Sequence, residues 1–134
     1  MRVLILALAA QAAAAQTAGK PHAIEVRLKA CSSANPSTHG EGQCQRTAED
    51  EWDAELNRVY RKLQAKLSPE RKANLTKAQL AWIAYRDAEF QLAAAVYDPR
   101  YGTMYGPIQA GRRMEVVRRR ARELQGYLDE LPLE

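Results

Sequence analysis

The chain has 134 residues, 46% of them hydrophobic and 27% charged, with a formal net charge of +4 and a sequence pI near 9.2. That length suits one compact domain and excludes two. No apolar run approaches the roughly 18 to 20 residues of a membrane-spanning helix, which argues against a helical membrane anchor.

In chain order, Met1-Arg2 forms a minimal basic start, Val3 to Ala10 a short apolar run, and Ala12 to Ala15 a stretch of small residues before Gln16. This pattern predicts a signal peptide over residues 1–15, with Ala18 a later cleavage alternative, and hence a periplasmic or secreted protein. No cysteine follows the signal to accept a lipid. The expected layout is an irregular lead-in over 16–46 and a helical domain over 47–134.

Thr17 to Gln43 is rich in Ser, Gly, Pro and Asn, with Asn35-Pro36-Ser37 and His39-Gly40-Glu41-Gly42 as turn signals. Within it, Ile24, Val26 and Leu28 alternate in a strand-like way, yet a single strand has no sheet to join. The segment reads as extended or as a short helix. Cys31 and Cys44 are the only cysteines, and an even count in an exported chain reads first as a disulfide. A loop of this size is worth about 3 kcal/mol in the chain-entropy picture. The alternative is a Cys-His zinc site using His22 and His39, whose spacing fits no familiar zinc pattern closely. No metal or cofactor is expected.

Three helices are predicted next. Thr47, with Asp50 three residues on, suits an N-cap, and the acidic run Glu49 to Glu51 suits the positive end of a helix dipole. Trp52, Leu56, Val59, Leu63 and Leu67 then keep one face toward a core. Ser68-Pro69 ends this helix and starts a second, with Ser68 as cap and Pro69 at the first helical position. The second helix runs to Val96 with an apolar stripe of Leu75, Ala78, Trp82, Tyr85, Leu92 and Val96, interrupted by Glu89. Asp98 to Pro107 must be a loop, because its two prolines and two glycines cannot continue a helix. The third helix, Ile108 to Leu131, carries Ala110, Met114, Val117, Ala121, Leu124, Leu128 and Leu131 in a heptad seam. The expected fold is all-α, a three-helix up-down-up bundle with an irregular, disulfide-pinned N-terminal segment. An exposed half of the third-helix seam could pair two protomers, and the oligomeric state is left open.

Arg112, Arg113, Arg118, Arg119, Arg120 and Arg122 crowd the third helix. Such a cluster reads as a solvated helix face or as a contact for an anionic envelope surface; in an exported protein nucleic acid is not an expected partner. No catalytic constellation is found: the three predicted helices carry no histidine base, no Gly-rich phosphate loop follows a strand, and no thiol is expected to be free. The carboxylate pairs Asp87 with Glu89 and Asp50 with Asp53 read as solvated faces. A binding protein, not an enzyme, is expected.

The most specific stretches are Leu56-Asn57-x-x-Tyr60 and, further on, Ala78-Gln79-x-x-Trp82-x-x-Tyr85-Arg86-Asp87-Ala88. Over roughly Cys31 to Tyr127 the chain resembles the LprI-type lysozyme inhibitor N-terminal domain family, small exported bacterial helical domains. The resemblance implies a lysozyme or another cell-wall hydrolase as partner. Gln79, Trp82 and Arg86 share a helix face, which suggests fold-keeping roles: Arg86 against a carboxylate such as Asp53, and Asn57 on backbone at a helix contact. Many relatives carry further cysteines aligning with Phe90 and Arg112. Their joint absence here implies that Cys31 pairs with Cys44 and that the loop after the second helix is freer, with Phe90 packing in place of the bond. If inhibition transfers, the cleft to be blocked is built around two carboxylates. The loop residues Arg100, Tyr101, Met104 and Tyr105 then supply a cation, two aromatics and a thioether as a plug. The positive third helix would be repelled by a strongly basic lysozyme.

Overall fold

The computed structural model describes residues 19–132. The predicted signal peptide over 1–15 lies outside them. The described residues form four α-helices and one short 3-10 turn: α1 (Ala23–Ala34), α2 (Thr38–Lys66), α3 (Pro69–Val96), the turn Pro99–Tyr101, and α4 (Tyr105–Glu130). The fold is all-helical, and no helix among the described residues is long and apolar enough to cross a membrane.

The expected irregular lead-in is instead helical. In α1 the His22 Nδ1 accepts the Ile24 N–H at 3.2 Å, while the Glu25 carboxylate accepts the His22 N–H at 3.1 Å, a reciprocal cap that satisfies two orphan donors. Ile24 is buried and Leu28 partly buried, while Val26 points to solvent. That spacing of four belongs to a helix face; the strand-like alternation was incidental. His22 is therefore a cap stacked 4.6 Å from the Trp52 ring, not a free loop residue.

The first predicted helix also begins earlier than Thr47. Ser37 is the N-cap, its Oγ accepting the Gly40 N–H at 3.0 Å, and Thr47 is an exposed mid-helix residue. Cys44 and Ala48 extend the buried stripe of Trp52, Leu56, Val59 and Leu63 upstream at steps of four. Gly40 is required where α1 hands over to α2: a Cβ there would sit 2.8 Å from the Asn35 carbonyl oxygen. Cys31 and Cys44 form a disulfide with Cα atoms 5.7 Å apart, tying α1 to α2 and removing the thiolates a zinc site would need.

Ser68 and Pro69 start α3 as expected, Ser68 Oγ facing the Arg71 N–H at 3.4 Å. The heptad seam of α4 is buried from Ala110 through Leu124, with Leu128 and Leu131 packed at its edge. That seam faces α2, so it is not available to pair protomers. α2 and α4 make the closest helix pair; α1 packs on α2, and α3 packs on α4 with at most a marginal approach to α2. α3 accordingly buries only Leu75 and Ala93. The expected stripe of Ala78, Tyr85, Leu92 and Val96 is exposed, and only Trp82 of its centre meets the core.

Candidate binding surface

The segment joining α3 to α4 is a built turn. Asp98 caps it, its carboxylate accepting the Arg100 N–H at 2.9 Å, and the Gly102 N–H donates to the Pro99 carbonyl at 3.1 Å. Tyr105 N–H then donates to the Gly102 carbonyl at 3.1 Å, and Gln109 Nε2 donates to the Tyr97 carbonyl at 3.1 Å, tying α4 back to the end of α3. Gly106 and Pro107 therefore belong to the first turn of α4, not to a loop.

The four expected plug residues part company here. Tyr101 is 79% exposed and Met104 also faces solvent. Tyr105 turns inward, its ring 6.4 Å from that of Tyr97. Arg100 is exposed but leashed, its Nε 2.8 Å from the Asp98 carboxylate. That side-chain hydrogen bond, with the backbone bond beside it, holds the Asp98 carboxyl below its ordinary range and raises Arg100. The turn thus presents an aromatic, a thioether and a locally neutralised cation.

The motif residues take mixed positions. Leu56 is buried and Tyr60 packs at the core edge, whereas Asn57 is exposed and, among the described residues, its side chain reaches Asp53 on its own helix at 3.5 Å and no backbone group. Gln79 Oε1 accepts the Arg120 Nε–H at 3.0 Å, joining α3 to α4. Arg86 does not pair with Asp53. Its guanidinium bonds Asp87 at 2.8 Å and lies 5.5 Å and 6.0 Å from the Trp82 and Phe90 ring centres. Phe90 is partly buried and also carries Arg113, 4.0 Å above its ring.

Arg113, Arg118, Arg120 and Arg122 of α4 are staples between helices, whereas Arg119 is bonded within α4. Arg113 pairs with Glu49 of α2 at 2.9 Å, Arg118 and Arg122 reach Glu25 of α1 at 3.2 and 3.0 Å, and Arg119 bonds Glu115 at 2.8 Å. Arg120, only 8% exposed, is held by Gln79 and by Glu123 at 2.6 Å. Arg112 lies 5.7 Å from the Tyr97 ring. Exposed pairs of this kind contribute little singly, and they neutralise part of the positive charge of α4, while Arg119 keeps its side chain largely in solvent.

Two carboxylates at the α1–α2 side of the fold, Glu25 and Glu55, have depressed pKa values. At Glu25 burial acts as the largest single influence and raises the value, yet the His22 N–H and the Arg122 and Arg118 guanidiniums together outweigh it. At Glu55 the Arg58 hydrogen bond dominates, against burial, with His22 adding to the lowering. Both lie below the ordinary 4.5. Their stabilising contribution is complete above that value and is lost as pH falls through the lowered ones. Thermal midpoints should therefore hold steady down to about pH 5 and then fall. Glu25→Gln should flatten part of that fall, and an unchanged slope would show that the pairs do not stabilise the fold.

A groove of about 590 Å3 runs between α3 and α4, with Trp82, Tyr85, Leu92 and Val96 on one wall and Val116 and Arg119 on the other. The sequence reading placed Tyr85, Leu92 and Val96 in the core. The signal against that was Glu89 within the stripe, which also lines the groove.

The described residues thus form a small helical fold with a pinned, solvent-facing aromatic turn and an open interhelical groove. Residues 29–124 match the family described as lysozyme inhibitor LprI, and the chain belongs to that family. It is also similar to an uncharacterized protein, R02472, from Rhizobium meliloti (strain 1021), at 33% identity over 90 residues, covering 58% of this chain and 63% of that protein. The chain thus spans less than two thirds of that relative's length. No solved structure matches it.

Proposed function

We propose that this chain is an exported, non-enzymatic protein that binds and inhibits a lysozyme or another cell-wall hydrolase, with the turn Asp98 to Met104 entering the hydrolase cleft. Membership of the lysozyme inhibitor LprI family supports the class of partner. The observation that carries the site is Tyr101, 79% exposed at the tip of a turn tied down by Asp98. Exposed aromatics are the usual anchors of tight interfaces, and a turn already held in shape loses little conformational freedom on docking. A cleft built around two carboxylates favours an entering guanidinium, which Arg100 supplies by exchanging Asp98 for the hydrolase.

Cell-wall turbidity assays with several lysozyme types test this reading. Tyr101→Ala should raise the inhibition constant by roughly 30-fold, the effect of about 2 kcal/mol at an interface anchor. Met104→Ala should have a smaller effect in the same direction. Because both side chains face solvent, the melting temperature should not move. Absence of inhibition at large molar excess over every lysozyme tried would reject the function; full inhibition by Tyr101→Ala would reject the site.

A further inference from the structure

We infer that the outer face of α3 is the docking surface for a second copy of this chain, packed antiparallel along its length. Ala78, Ala81, Tyr85, Ala88, Leu92 and Ala95 follow one another in alternating steps of three and four, and every one is exposed. Tyr85 and Leu92 are 54% and 55% exposed, and Val96 beside them is also open. The positions Ala78, Ala81, Tyr85, Ala88, Leu92, Ala95 and Val96 are all uncharged; Arg86 and Asp87 lie off the stripe, and Glu89 borders it on the groove side. In a chain with 27% charged residues, a long solvent-facing helix side without one is unusual. The cause is visible in the packing, since α3 packs mainly on α4, which leaves its opposite side open.

The pattern selects its occupant. When two such helices run antiparallel about an axis between Arg86 and Asp87, Tyr85 falls opposite the partner's Ala88 and Leu92 opposite the partner's Ala81. Ala78 then meets the partner's Ala95. Each large side chain is thus received by an alanine, the knob-into-hole relation that lets helices approach closely. In a parallel pairing Tyr85 would collide with the partner's Tyr85. The antiparallel register also sets Glu89 opposite the partner's Ala84, so no like charges are opposed. Such a two-fold interface needs only one self-complementary patch.

The area is sufficient. From Ala78 to Val96 the stripe is roughly 27 Å long at the helical rise. With the adjoining groove wall included, a width of about 20 Å gives roughly 500 Å2 per copy, near the lower bound for a specific interface. An interface at that lower bound belongs with weak, reversible association, which the micromolar range would reveal. Tyr85 and Leu92 also line the groove, so the second copy closes its open side.

Sedimentation or light-scattering mass, measured on the oxidised chain from about 1 to 500 μM, bracketing a micromolar Kd, should show the mass doubling. Ala88→Glu and Leu92→Glu should each return it to the monomer with unchanged circular dichroism, because both positions are exposed in the single chain. The Ala81→Cys, Leu92→Cys double variant should form covalent dimers on oxidation. Neither single variant should, since like positions then lie about 16 Å apart along the axis. A chain that stays monomeric throughout, or a dimer indifferent to both glutamates, overturns the inference. So does a monomer whose hydrolase binding is lost in Leu92→Glu, which would assign the face to the hydrolase. The mass measurement contains no hydrolase, so its failure leaves the inhibitor reading standing.

Discussion

Trp52→Ala is expected to destabilise the chain by about 3 to 5 kcal/mol, the usual cost of truncating a fully buried large aromatic. Trp52 is 1% exposed and sits where three helices meet: His22 of the α1 cap stacks on its ring at 4.6 Å, and Arg122 of α4 lies 5.8 Å from its centre. The substitution would leave a cavity along the α2–α4 contact, which is the main packing surface of the fold. Against a typical stability of about 5 to 15 kcal/mol, a loss of that size lowers the melting temperature by roughly 10 to 20 °C or unfolds the chain outright. Trp52→Phe supplies the control. The buried indole N–H finds no acceptor among the described residues, so replacing it removes no protein hydrogen bond. Phenylalanine should therefore cost far less than alanine. Equal melting temperatures for Trp52→Ala and the wild type would place the core elsewhere.

Opening the Cys31–Cys44 bond should be the next largest effect, about 3 kcal/mol from the entropy regained by a loop with a sequence separation of 13. The loss should be local before it is global. α1 packs on α2, and beyond that it is held by the disulfide and by ion pairs from Arg27 to Glu51 and from Glu25 to Arg118 and Arg122. Hydrogen exchange in the Cys31→Ala, Cys44→Ala variant should accelerate first in residues 23–34, with the α2–α4 pair still protected. Alanine is preferred to serine because Cys44 is buried and a hydroxyl there would lack a partner. Uniform acceleration throughout the chain would mean that α1 is integral to the cooperative unit.

The amphipathic helices were legible because their partners are strongly apolar. Trp52, Leu56, Val59 and Leu63 on α2 and the Ala110 to Leu124 seam on α4 appear in the sequence at the same spacing at which they are buried. Ser68-Pro69 was equally plain, since a capping hydroxyl followed by proline permits little else. The resemblance carried by Leu56, Gln79, Trp82 and Arg86 was also confirmed at the family level over residues 29–124. The lead-in was not legible, because glycine, serine and proline content argued for loop while the helix there rests on tertiary support. Its supports are a His22 cap lying on Trp52, a cross-helix disulfide and a glycine at the α1–α2 handover.

The sequence by itself determined an all-helical chain, the core-facing sides of α2 and α4 and the start of α3, which follow from periodicity and local capping, and a family, which follows from the resemblance of its motifs. Only the tertiary structure decided where α3 leans, and with it the fate of Tyr85, Leu92 and Val96. An alanine-rich helix has similar apolarity on several faces, so its pattern does not say which face is covered. The arginines of α4 show the same limit for charge. A sequence counts positive residues, whereas the pairing of Arg113 with Glu49 and of Arg118 and Arg122 with Glu25 spans 64 or more positions and exists only once the helices are laid side by side.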